Sequence, residues 1–193
     1  MIHNLAVRMA AVFVAHGESS SDDADIYAYA CEKIVSTLVN VIIGMATAFL
    51  FGRLVEGIVF ITGFAMLRKY TGGYHAKTHF NCILTFNIIL ACVMVLLLLF
   101  DGFQVGNIVA AVIANVSLIG IFALAPINQE SKRLDKVSYT SLKKKCRWLV
   151  FGLWMLCVVD LFTLNFGLGF ILALSMFSVL CSMAYANINT KYL

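Results

Sequence analysis

Apolar residues fall in long, nearly unbroken runs, over about 34–51, 54–67, 80–100, 105–125, 148–166 and 168–187. Most of these runs approach the roughly 20 residues that an α-helix needs to cross a bilayer. The second is only 14 residues long, and by length alone it would also fit a re-entrant segment. Backbone in lipid has to satisfy its own hydrogen bonds, so each run is predicted to be helical. Ahead of them, residues 1–16 read as an amphipathic helix lying in the membrane interface, followed by a Ser- and Asp-rich turn at 18–25. The amino terminus has a weak basic start and a short apolar run, then acids where a cleavage site would need small residues, so no cleavable signal peptide is expected.

Composition agrees with the pattern. Of 193 residues, 62% are hydrophobic and 12% are charged, with a mean hydropathy of +0.93. Soluble domains carry roughly 45–50% apolar and about 25% charged residues, so an integral membrane protein is expected. The formal charge of +4 matters less for its size than for its placement, and it calls for no nucleic-acid partner. Arg68, Lys69 and Lys77 follow the second run. Lys132, Arg133, Lys136, Lys143, Lys144, Lys145 and Arg147 follow the fourth. If both termini join these basic loops on the inside, 13 of the 14 Lys and Arg residues are cytoplasmic and only Arg53 is outside. That count requires the short second run to cross.

The expected architecture is therefore an all-α polytopic membrane protein: six transmembrane helices, an N-terminal amphipathic helix and both termini cytoplasmic. Along the chain this gives an amphipathic segment at 1–33, spans one and two within 34–67 and a cytoplasmic loop at 68–79. Spans three and four lie within 80–125, a basic cytoplasmic loop at 126–147 and spans five and six within 148–187. Pro126 marks the stop of the fourth span. Two acids fall in or beside spans. Glu56 has Arg53 one turn away, which favours a local ion pair, whereas Asp160 has no obvious partner in sequence and is a candidate for lining a pathway.

The first loop carries the candidate chemistry, RKYTGGYHAKTHFNC over 68–82. His75 and Cys82 would share a face of an unbroken helix but stand about 10.5 Å apart along its axis, too far for a proton-transferring couple. A bend at Gly72-Gly73, with Thr78 or Asn81 capping the next helix, would bring Cys82 into a first turn. There the exposed amide groups favour a thiolate, and the imidazole of His75 could take up the thiol proton and return it. His75, His79 and Cys82 also read as H-x3-H-x2-C, a spacing open to zinc, though Gly72-Gly73 opposes a regular helix there and no carboxylate lies near to support the ligands. A small transporter or channel component, or a membrane partner without chemistry, is open too. The other five cysteines (Cys31, Cys92, Cys146, Cys157 and Cys181) are scattered and fit small apolar side chains.

The same residues resemble the AgrB family of membrane endopeptidases, which mature quorum-sensing peptides in Gram-positive bacteria. The features are Arg68, then Gly72-Gly73, His75-Ala76 and Cys82 at the mouth of a span, with Ala125-Pro126 and a basic stretch some forty residues on. The resemblance covers essentially the whole chain. It implies a His75–Cys82 dyad acting on an AgrD-like precursor peptide, through a thioester on Cys82 that the peptide's own cysteine or serine resolves into a ring. It gives Arg68 and Gly73 roles in activity. Lys132, Arg133, Lys143, Lys144 and Lys145 become the residues that hold an acidic tail, although the basic stretch is interrupted here by Gln129, Glu130 and Ser131. No cofactor or metal is implied. The expected setting is the bacterial cell membrane, with membrane lipids as partners, a cytoplasmic active site and room for a homodimer.

Overall fold

The structure is a computed structural model and describes residues 24–72, 78–100, 104–126, 136–163 and 166–191. The predicted amphipathic helix at 1–16 lies outside these residues. The described residues form six α-helices and no strand: α1 (Ala24–Leu50), α2 (Leu54–Thr71), α3 (His79–Phe100), α4 (Gln104–Leu124), α5 (Lys136–Thr163) and α6 (Phe166–Lys191). Four contain stretches long and apolar enough to cross a membrane: Tyr27–Leu50 in α1, Phe80–Phe100 in α3, Gly106–Leu124 in α4 and Gly167–Ile188 in α6. The other two are diluted by charge. Glu56, Arg68 and Lys69 fall within the 18 residues of α2, and α5 carries Lys143, Lys144, Lys145 and Arg147 ahead of its apolar part.

Three helices are longer than the apolar pattern suggests: α1 starts at Ala24, ahead of the first run and within the segment at 1–33 expected to be interfacial. α2 continues past the apolar run through Arg68 to Thr71, and α5 starts at Lys136, so much of the predicted basic loop is helix. Long cationic side chains lose little freedom in a helix, so an apolar run ends where the solvent changes and the helix need not end with it.

Short-range signals set the turns. After α1, the Gly52 amide donates to the Phe49 carbonyl at 2.9 Å and the Arg53 amide to the Ala48 carbonyl at 3.0 Å. These are the paired closing bonds of a Schellman motif, which needs a residue in the left-handed region. Gly52 fills that position at φ +67°. The chain reverses there, and α2 returns along α1 so closely that a Cβ on Gly57 would stand 2.2 Å from the Ala48 Cβ.

Side-chain pairs define the remaining directions. Glu56, Gly63 and Arg68 of α2 meet Gly167, Ser175 and Ser182 of α6 in that order, so these helices run parallel. Asn40 of α1 accepts a hydrogen bond from Asn87 of α3 at 2.8 Å, and Phe100 at the end of α3 meets Phe170 near the start of α6 at 5.7 Å between centroids. Gly120 of α4 lies against Leu180 of α6, and Arg147 of α5 lies over the Phe122 ring of α4. Consecutive helices thus alternate in direction, gathering the ends of α2 and α4 and the starts of α3 and α5 at one end of the bundle. We call this the basic end, because Arg68, Lys69, Lys143, Lys144, Lys145 and Arg147 are all there. The opposite end holds Arg53, Glu56 and Asp160.

α6 is the central post, packed by α2, α3, α4 and α5. Phe170 through Met176 are all buried. The core is apolar, from Phe60 and Leu67 to Met183, and the departure from a soluble bundle is the equally apolar surface. Small hydroxyl residues such as Ser175 and Ser178 are inside, with their hydroxyls donating to the Leu172 and Leu174 carbonyls at 2.8 Å. Outside are Ile42, Phe49, Ile108, Ile119 and Val159. Lipid solvates such an apolar surface without cost, so helix association depends on close packing of small residues instead of on burying every leucine.

Candidate active site at the basic end of the bundle

The site is assembled where α2 stops and α3 starts. α2 ends at Gly72, whose φ of +73° is closed to most side chains and whose amide donates back to the Arg68 carbonyl at 3.2 Å. α2 therefore stops at the first glycine of the expected bend, and the rest of that bend lies outside the described residues. On the far side, the Thr78 hydroxyl accepts from the Asn81 amide at 3.2 Å, and the Thr78 carbonyl accepts from the Cys82 amide at 3.2 Å. Thr78 is thus the N-cap of α3. Of the two capping residues the sequence offered, it is the one used. Cys82 stands in the first turn of α3 and is half-buried.

Arg68 lies in the last turn of α2, on the other side of this break. Burial lowers its guanidinium from the ordinary value, and the nearby Cys82 sulfur raises it again in part. Arg68 is therefore within electrostatic range of Cys82. Arg68 is held from two directions. Its Nη1 donates to the Ser182 Oγ of α6 at 2.6 Å, and its guanidinium lies 5.7 Å from the centroid of Phe64. Phe64 packs in turn on Phe60 and Phe86, with centroids 5.9 and 5.1 Å away. This aromatic layer closes the apolar side of the site and couples α2 to α3.

The structure thus joins Arg68 to Ser182, 114 residues later, within electrostatic range of Cys82. His75, Gly73, Lys132 and Arg133 lie outside the described residues. Lys143, Lys144 and Lys145 are on the first turns of α5 at the same end of the bundle, with the Lys143 ammonium 5.9 Å above the Tyr139 ring. Among the described residues no three His, Cys, Asp or Glu side chains are grouped as metal ligands; the zinc alternative needs the side chains of His75 and His79, which are not among those described. Ser182 was missed by the sequence reading. It is one hydroxyl in a span with several, and only the fold reveals which one faces the arginine.

The two acids of the opposite end take structural positions. Glu56 pairs with Arg53 at 3.1 Å, as their spacing suggested. Asp160 accepts a short hydrogen bond from the Gly169 amide in the first turn of α6, so its carboxylate meets the positive end of that helix. This is a cap, and a pathway-lining role is not needed to account for it.

With this geometry in place, comparison with known proteins gives a consistent result. The family model described as accessory gene regulator B matches residues 6–184. An AgrB-like protein of Clostridium perfringens (strain SM101 / Type A) is 23% identical over 198 residues, covering 100% of this chain and 92% of the relative. A second AgrB-like protein, from C. perfringens strain 13 / Type A, is 22% identical with the same coverage. No solved structure matches the chain.

Proposed function

The chain belongs to the AgrB family, and from that premise we propose that it is a membrane-embedded cysteine endopeptidase that matures a small AgrD-like precursor peptide. The observation that carries this reading is the placement of Cys82, half-exposed in the capped first turn of α3, within electrostatic range of an arginine that Ser182 of α6 and Phe64 of α2 hold in place. Nothing in the packing of a lipid-buried helix calls for that combination.

The reaction follows from these groups. His75 takes the thiol proton, and the Cys82 sulfur attacks a backbone carbonyl near the carboxyl side of the precursor. Arg68 faces the negative charge carried by the sulfur and then shared with the carbonyl oxygen; fixed cations aimed at developing charge are among the strongest contributors to acyl transfer. As the C–N bond breaks, His75 returns its proton to the leaving amine and the acidic tail departs. The amino-terminal part of the peptide stays as a thioester on Cys82. A cysteine or serine within the same peptide then attacks that thioester, closing a thiolactone or lactone and freeing Cys82. The nucleophile's proton passes to the released Cys82 sulfur, and the thioester is exchanged for a second thioester or, with serine, for an ester, so no ATP is needed. A site recessed at the lipid edge disfavours competing water.

In this reading all six helices cross the membrane, α2 included, since it runs beside α6 from Glu56 to Arg68. Both termini and the active site are cytoplasmic. Gly73 has a role in activity, and Lys132, Arg133, Lys143, Lys144 and Lys145 form a cationic margin for the acidic tail.

The test is co-expression with the short reading frame encoding the precursor. The native chain shortens the peptide, and Cys82→Ser and His75→Ala lower the rate on the order of a thousandfold or more at equal membrane levels. Processing by Cys82→Ala would refute the proposal.

A further inference from the structure

One feature of the basic end is separate from Cys82 and Arg68. A cavity of about 450 Å³ opens between the end of α4 and the first turns of α5. Its upper part presents Lys143, Lys144, Arg147 and the Thr140 hydroxyl, and its lower part is made of Trp148, Phe151 and Phe122. No acid lines it. We propose that this cavity is a binding site for one anionic phospholipid, with the phosphate among the three cations and the upper acyl chains on the aromatic floor.

Helical geometry makes the site. Residues 140, 143, 144, 147, 148 and 151 recur every three or four positions and so form one stripe of α5. The buried positions Cys146, Val150, Leu153 and Cys157 form another, which faces the core. The pocket is therefore on the flank of the bundle and not on its capped end. From Lys143 to Phe151 the stripe descends about 12 Å along the helix, the depth that separates headgroups from upper acyl chains. Below it the same flank continues as exposed Met155 and Val159, a surface suited to a lipid tail. Trp148 is 66% exposed, at the level where indole rings favour a bilayer interface.

A lipid fits this arrangement better than a peptide tail. Phosphate matches a cluster of guanidinium, ammonium and hydroxyl donors, and an amphiphile has both a charge for the upper part and hydrocarbon for the lower. An acidic peptide would use only the cations and leave the aromatic floor to something else. Arg147 is already oriented, 5.6 Å from the Phe122 centroid. Lys145 is about 100° further round the helix from Lys144 and is not part of the lining. The basic run thus divides: Lys143 and Lys144 line the lipid pocket as well as bordering the peptide margin, and Lys145 belongs to the margin alone. The assignment does not depend on the peptidase reading.

The chain provides its own reporter. It has two tryptophans, and the buried Trp154 Nε1 has no hydrogen-bond partner, so Trp154→Phe forfeits no bond and leaves Trp148 alone. The full chain with this substitution is placed in micelles doped with phosphatidylglycerol or phosphatidylcholine carrying brominated acyl chains, and quenching of Trp148 is measured. Brominated phosphatidylglycerol should reach half-quenching at a mole fraction on the order of tenfold lower. Lys144→Gln with Arg147→Gln should bring the two lipids level, Lys143→Gln alone should narrow the gap, and Lys145→Gln should leave it in place. Equal quenching at the outset, a preference surviving the double substitution, or an equal loss with Lys145→Gln would overturn the site. So would recovery of fluorescence on adding a soluble acidic peptide, which would give the pocket to peptide, or inorganic phosphate alone, which would reduce it to a general anion contact.

Discussion

The two ends of the bundle both carry charge in a protein that has little of it, and they handle it differently. At the opposite end the partners are near in sequence: Arg53 meets Glu56 three residues on, and Asp160 meets the Gly169 amide nine residues on. Each pairing closes a turn between two consecutive helices. At the basic end Arg68 is within electrostatic range of Cys82 across a helix break and meets Ser182 across 114 residues. No turn is closed by that set. Charges settled among sequence neighbours serve the fold, whereas Arg68 is held by residues from separate helices near a half-exposed sulfur, the arrangement on which the proposed reaction rests.

The largest contrast lies within the basic end, between two thiols. Cys146 is buried, and burial pushes its thiol up to about 11 despite the neighbouring Arg147. The thiolate is the reactive form, so at pH 8 only about one Cys146 in a thousand is available to iodoacetamide. Mass spectrometry should find Cys82 labelled and Cys146 unlabelled, with Cys146 labelling rising about tenfold per pH unit toward 11. Ready labelling of Cys146 at pH 8 would show that the core of α5 is open.

Next in size are the two arginines. Arg68→Ala should lower precursor processing by about a hundredfold to a thousandfold, as removal of a fixed charge-stabilising donor does. Arg53→Ala removes the same charge from the opposite end and should stay within about twofold, since an exposed or half-buried pair contributes little. Equal losses would dissolve the distinction between the ends.

Packing supplies a stability test. Gly57→Ala places a methyl 2.2 Å from the Ala48 Cβ, which is fixed to backbone and cannot rotate away. The α1–α2 hairpin must open, costing about 1–3 kcal/mol and lowering the thermal midpoint in detergent. Gly152→Ala meets nothing within 4 Å and should be neutral or slightly stabilising, because alanine is the better helix former.

The smallest effects refine the roles of partners. Ser182→Ala removes the hydroxyl that accepts from Arg68 and should reduce processing by about tenfold, with Ser182→Thr restoring much of it. The melting point should hardly move, which separates positioning from folding. Glu56→Gln should cost under about 1 kcal/mol in stability and leave processing unchanged.

Much of this was legible in the chain. Six apolar runs became six helices because lipid leaves the backbone no other partner than itself. Gly72 and Thr78 could be read as a break and a cap because their effects act over a few residues. The Arg53–Glu56 pair was legible for the same reason. The extensions of α2 and α5 were not, since hydropathy reports the solvent around a helix and is silent on where the helix stops. The role of Asp160 was hidden by a loop: its partner is a backbone amide, which no residue type announces.

The sequence by itself determined the helices, their alternation, the concentration of cations at one end and the residues available for chemistry, because periodicity, capping and charge placement are local or nearly so. Only the tertiary structure decided that Ser182 holds Arg68, that Arg68 is within electrostatic range of Cys82, and that Lys143, Lys144 and Arg147 share a pocket with Trp148 while Lys145 does not. Those facts depend on the rotation and depth at which one helix meets another, which are set by small residues such as Gly57, Gly63 and Gly120 fitting against particular neighbours.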